Sequence, residues 1–160
     1  MSTPVRVGLI GLGTVGQGVV RVLRDNAAEI ERRVGRPVVV THASARDLGK
    51  VREVQLDGIT LVADAMSIAR DADVDVVVEV IGGNTAAKDA ILAALARGKP
   101  VVTANKALLA EEGNAIFDAA RKAGVPVAFE ASVAGGIPII KAIREGLAGN
   151  RIERLAGIIN

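Results

Sequence analysis

Short apolar runs alternate along the chain with longer stretches whose apolar residues recur at helical spacing. Val5–Ile10 is the first such run and predicts a strand. Over residues 14 to about 33, Val15, Val19, Val22, Leu23, Ala27 and Ile30 share one face and predict a single long helix, ended by Gly35, Arg36 and Pro37. The β-branched run 38–43 predicts a second strand, followed by a polar segment over 44–57 in which Arg and Lys recur. A short strand over 59–62 and a helical turn or two over Ala65–Arg70 come next. The run 74–80 is a strong strand closed by Gly82 and Gly83, and a helix over 85 to about 97 stops at Gly98. Residues 100–103 form a fifth strand, Lys106–Ala123 a helix stopped by Gly124, and 125–129 a sixth strand. Six strands separated by helices predict an α/β fold: a doubly wound, Rossmann-type, mostly parallel sheet with helices on both faces.

After the sixth strand the pattern changes. Residues 130–138 are a glycine-rich loop, 139–147 a short helix, and 152–159 a strand whose Leu155, Ile158 and Ile159 need partners. It reads as the first strand of a sheet missing from this chain. Residues 1–137 are therefore expected to be the nucleotide-binding domain, and 138–160 the linker helix and first strand of a truncated second domain.

Composition agrees with a buried parallel sheet. Half of the 160 residues are hydrophobic, yet only two are Phe and none is Trp or Tyr, so the core is built from Val, Ile, Leu and Ala. The length suits one α/β domain and is too short for a full second one. With no cysteine, the chain has no disulfide, no thiolate zinc site and no cysteine nucleophile. The net charge is +2 and the charges are scattered, so nothing marks a nucleic-acid partner. No apolar run approaches the ~20 residues of a membrane helix, and no leader precedes the first strand, which makes the cytoplasm the expected location.

The chemistry is concentrated where the first strand meets its helix, at Gly11-Leu12-Gly13-Thr14-Val15-Gly16. In a dinucleotide fingerprint the first glycine makes the tight turn, the second admits a pyrophosphate, and the third lets helix pack on strand. The helix N-terminus then offers free N–H groups to the phosphates. An ordinary glycine-rich turn is the plainer reading of the same letters. An NAD-preferring site places an acid at the end of the second strand. Here Ala43 and Ser44 occupy that position and Arg46, Lys50 and Arg52 follow, which favours NADP(H) through its 2′-phosphate. A solvated basic loop, with dual cofactor specificity, is the alternative.

Two further positions lie at strand ends. Lys106, after Thr103-Ala104-Asn105, could bring an ammonium to the nicotinamide and a substrate carbonyl or carboxylate, or could be a solvent-facing residue behind an Asn105 helix cap. Glu130 ends an apolar strand; it could pair with a basic residue or, with inward carbonyls of the following loop, hold a monovalent cation. His42, the only histidine, reads as a strand side chain, and Glu79, in a valine run, as bonded to backbone.

The fingerprint, Val78-Glu79-Val80-Ile81-Gly82-Gly83, the segment Gly98 to Ala110 around Thr103-Ala104-Asn105-Lys106, and Phe129-Glu130-Ala131-Ser132-Val133-Ala134-Gly135-Gly136-Ile137-Pro138 together resemble homoserine dehydrogenase, over the whole chain but only the N-terminal part of that enzyme. The resemblance implies interconversion of L-homoserine and L-aspartate 4-semialdehyde with NAD(P)(H), on the route to threonine, methionine and isoleucine. It assigns Leu12, Thr14 and Val15 to the pyrophosphate, Arg46 to the 2′-phosphate, Gly82 or Gly83 to the nicotinamide ribose, and Lys106 to the active site. It also implies a sodium ion held by the Glu130 carboxylate and the backbone carbonyls of Val133, Gly135 and Ile137. The family's proton-transferring lysine, its substrate-binding acids and most of its dimer interface would lie in the missing segment. The isolated chain is thus expected to bind cofactor without turnover, and the full-length protein to be a homo-oligomer. A semialdehyde dehydrogenase of another type would need a cysteine nucleophile, and a non-enzymatic redox sensor would need a partner-binding module; neither is visible here.

Overall fold

The computed structural model describes residues 2–157. Its elements are β1 (Val5–Ile10), α1 (Thr14–Asp25), α2 (Ala27–Val34), β2 (Val38–Ser44), β3 (Thr60–Val62), α3 (Ala65–Arg70), β4 (Val76–Glu79), α4 (Thr85–Ala96), β5 (Val101–Thr103), α5 (Lys106–Ala123) and β6 (Val127–Ala128). A 3-10 turn at Glu130–Ser132, a three-residue helix α6 (Ile139–Lys141) and a π turn at Ala142–Gly146 follow. The strands form one sheet in the order β3-β2-β1-β4-β5-β6, with every neighbouring pair parallel. The chain builds outward from β1 to β3, then returns to lay β4 on the other side of β1. The order therefore reverses between β1 and β4, opening a crevice at the carboxyl ends of those strands.

Alternation along the strands feeds two cores. Ile10, Val77, Val101 and Val127 point to the face covered by α3, α4 and α5, where they meet Ile68, Ile91, Leu95, Leu108 and Ile116. Leu9 points to the opposite face and packs with Leu12, Val20 of α1 and Ala43 of β2. This second face is covered unequally. Val78, Val102 and Ala128 lie in one row across β4, β5 and β6, and Val102 and Ala128 are exposed. Among the described residues no helix is long and apolar enough to cross a membrane.

The structure departs from the sequence reading at four places. The helix expected over residues 14 to about 33 breaks at Asn26, whose backbone and side-chain amides both donate to the Val22 carbonyl at 3.1 Å. An asparagine that bonds the backbone locally competes with the helix. The sixth strand shrinks to two residues because it begins after Pro126, which has no N–H, and pairs on one side only. The helix expected over 139–147 is one short turn followed by a wider one, with Leu147 N–H reaching Ala142 O at 2.9 Å. No described residue beyond Ser132 is buried, so tertiary packing does not support this segment. Lastly, 152–157 form no strand, since among the described residues they have no neighbour to pair with; Ile158 and Ile159 lie outside the described residues.

Candidate functional site

Each glycine of the fingerprint has its own steric reason. Gly11 has φ +105°, and a Cβ there would meet Ile81 Cγ2 at 2.7 Å and the Val80 carbonyl carbon at 3.0 Å. A Cβ on Gly16 would collide with the carbonyl oxygen of Gly11, so this glycine lets α1 sit against the turn that begins it. A Cβ on Gly13 would meet nothing within 4 Å and would project into open space. Gly13 is also the N-cap of α1, with no side chain to satisfy the first N–H groups and no acidic residue in the first turn. The result is a helix start that suits an anion.

Around this turn lies a cleft of about 550 Å³, lined by Gly11, Leu12, Gly13, Ser44, Ala45, Arg46, Asp47, Lys50, Arg52, Ala63, Ala65, Val80, Ile81, Gly82 and Ala86. Ser44, at the end of β2, fixes one wall: its hydroxyl accepts from Gly11 N–H at 3.2 Å and its carbonyl from Leu12 N–H at 2.9 Å. The basic loop forms the rim. Arg52 donates to the carbonyls of Asp47 and Lys50 at 2.6 and 2.7 Å and so folds the loop around itself. Arg46 is exposed at the same rim, and among the described residues it makes no ion pair.

Of the residues singled out from the sequence, the cleft gathers Gly11, Leu12, Gly13, Ser44, Arg46, Lys50, Arg52 and Gly82. Thr14, Val15 and Gly16 sit just inside α1 and do not line it. Gly82 and Gly83 are both left-handed, with φ +69° and +75°. Lys106 is the first residue of α5, exposed and outside the cleft lining. The helix cap is real: Asn105 Oδ1 accepts from Leu108 N–H at 3.2 Å. Its side-chain amide also donates to Gly83 O at 2.7 Å, tying the start of α5 to the glycine turn.

Glu130 lies apart, after β6. Among the described residues the pairing with a basic side chain that its burial invited is absent; its two carboxylate oxygens accept from the backbone N–H groups of Ile140 and Lys141, each at 3.0 Å. Ala134 and Gly135 both have φ +57° and turn the loop sharply. Ile137 O accepts from Ile139 N–H at 2.8 Å, while no donor reaches the carbonyls of Val133 and Gly135 among the described residues. His42 is a strand residue, its Nδ1 3.0 Å from Thr41 Oγ1.

The buried polar residues among those described are Ser44, Glu79, Thr103, Asn105 and Ser132, all at or just beyond the carboxyl ends of strands. From the sequence Ser44, Thr103 and Ser132 have no role of their own, and Glu79 reads only as bonded to backbone. Glu79 does accept from Ile81 N–H at 2.9 Å, but its other oxygen accepts from Thr103 Oγ at 2.7 Å. Ser132 Oγ donates to Thr103 O at 2.9 Å. The available signal was polar residues clustering at strand ends on the ligand edge of the sheet.

A parallel sheet in this order, with the glycine fingerprint at its switch point and a basic rim beyond β2, defines a dinucleotide-binding Rossmann domain. The family profile for "Homoserine dehydrogenase, NAD binding domain" matches residues 11–130. The chain belongs to the homoserine dehydrogenase family. It is 55% identical to the homoserine dehydrogenase of Neisseria gonorrhoeae and 56% to that of Pseudomonas aeruginosa, over 98% of this chain in each case. The crystal structure of a homoserine dehydrogenase from Thiobacillus denitrificans superposes with a TM-score of 0.87 at 54% identity, covering 94% of this chain and 35% of that one. The chain spans 36% of the length of those two curated relatives.

Proposed function

We propose that this chain is the NAD(P)-binding part of an enzyme that interconverts L-homoserine and L-aspartate 4-semialdehyde. The observation that carries the reading is the open approach at Gly13, set between the free start of α1 and the Arg46 rim. The residues present fit the dinucleotide: Leu12, Thr14 and Val15 bind its pyrophosphate through the backbone, and Arg46 binds a 2′-phosphate, so NADP(H) is preferred over NAD(H). When bound, the nicotinamide supplies the hydride chemistry. Gly82 or Gly83 would lie under its ribose, and Lys106 would present an ammonium to the substrate.

The reading divides the chain at residue 137, which is supported by the absence of buried residues beyond Ser132 among those described. It also includes a sodium ion on Glu130 and the carbonyls of Val133, Gly135 and Ile137. One carboxylate with neutral oxygens suits a monovalent hard cation, and the unbonded carbonyls of Val133 and Gly135 support it. The oxidation also requires a proton transfer, which this reading assigns outside the chain.

The test is absorbance of reduced nicotinamide when the full-length protein meets L-homoserine with NADP+ or NAD+, beside the 160-residue chain alone. Growth of signal with the full-length protein only is the expected result. Folded full-length protein that gives no signal with either cofactor would overturn the activity, and steady turnover by the chain alone would overturn the division of labour.

A further inference from the structure

Glu79 is wholly buried at the end of β4, and no basic side chain contacts it among the described residues. Burying a carboxylate this way is costly unless hydrogen bonds replace its water. Those bonds lead outward along one path. One oxygen accepts from Ile81 N–H, and Ile81 lines the cleft. The other accepts from Thr103 Oγ; that hydroxyl oxygen in turn accepts from Asn105 N–H at 3.1 Å, and the Asn105 amide donates to Gly83 O. A single group therefore fixes both Ile81 and Gly83, on either side of Gly82, together with the start of α5 that carries Lys106. The basic rim is held by other bonds, those of Arg52 to the carbonyls of Asp47 and Lys50.

We infer that Glu79 is a positioning residue for the nicotinamide half of the cofactor, acting through Thr103 and Asn105 on the Gly82–Gly83 turn and on Lys106. The inference rests on the cleft being an NAD(P) site. Loss of the network releases one end of the cleft and leaves the adenine end in place. A purely architectural role would weaken both ends alike.

The test titrates the protein and its Thr103→Val, Glu79→Gln and Thr103→Ser variants with NADPH and with 2′-phospho-ADP-ribose, which lacks the nicotinamide. Thr103→Val and Glu79→Gln should each weaken NADPH about tenfold and change 2′-phospho-ADP-ribose by less than about twofold, the scale of one hydrogen bond. Thr103→Ser, which keeps the hydroxyl, should bind both like the parent. If Thr103→Val does not fold, the near-isosteric Glu79→Gln carries the same comparison. Equal loss for the two ligands, or no loss for either, would overturn the inference while leaving the nucleotide site standing. A parent protein that binds neither ligand would overturn both.

Discussion

A Cβ on Gly16 would run into the carbonyl oxygen of Gly11, so the third glycine of the fingerprint is required by the protein itself, whatever the cleft holds. Gly13, between them, has open space where its Cβ would stand and an ordinary φ of −84°. The two glycines should separate on mutation. Gly16→Ala is expected to cost about 1–3 kcal/mol of stability by overpacking, read as a lower melting temperature. Gly13→Ala should melt like the parent but lose NADPH affinity, because the methyl occupies the approach to the pyrophosphate.

Arg46 stands at the cleft rim without an ion-pair partner among the described residues. Arg46→Ala should weaken NADPH about 10- to 100-fold, the scale of a charge-assisted hydrogen bond, and leave NADH within about twofold on the same scale. Parallel fluorescence titrations would show it. Equal losses for the two cofactors would take the 2′-phosphate away from this residue.

Much of this was legible beforehand, for identifiable reasons. Helix α5 could be read to the residue because an Asn cap and a left-handed Gly124 bound it. The α1 break at Asn26 could not, since apolar spacing runs on through it and only the local bond to Val22 reveals the stop. The cleft side of the fingerprint was visible because glycine identity encodes backbone space. The Glu79–Thr103–Asn105 path was hidden because its partners are 24 and 22 residues apart, and a backbone bond such as the one to Ile81 already accounts for a buried carboxylate in a strand. The segment beyond Ser132 was overpredicted: helical and strand patterns need a surface to pack on, and none of its described residues is buried.

At the amino-terminal ends of the two central strands, β1 and β4, Arg6 holds Asp75 through its backbone N–H at 2.7 Å and its guanidinium at 2.9 and 3.1 Å. These bonds pull the Asp75 carboxyl down from an ordinary 3.8 to about 2. A carboxylate whose pKa falls on folding stabilises the native state above its unfolded pKa, and that contribution is lost as pH drops through the folded value. Stability should therefore fall between about pH 4 and pH 2. Asp75→Asn should lose less over that interval while binding NADPH unchanged, as acid melts and a titration would show.

The sodium reading has a test independent of turnover. Melting in NaCl should exceed melting in KCl of equal ionic strength by about 2–4 °C, corresponding to a ligand contribution of about 1 kcal/mol. Glu130→Ala should abolish that difference. A difference that survives the substitution, or its absence in the parent, would remove the ion from Glu130.

Binding of a nicotinamide dinucleotide in the cleft at Gly13 is tested most closely by direct titration of the chain with NADPH. Saturable one-to-one enhancement of nicotinamide fluorescence is expected, displaced by NADP+ and lost in Gly13→Ala. A folded chain whose fluorescence titration shows no saturation, or a Gly13→Ala variant that binds like the parent, would contradict it.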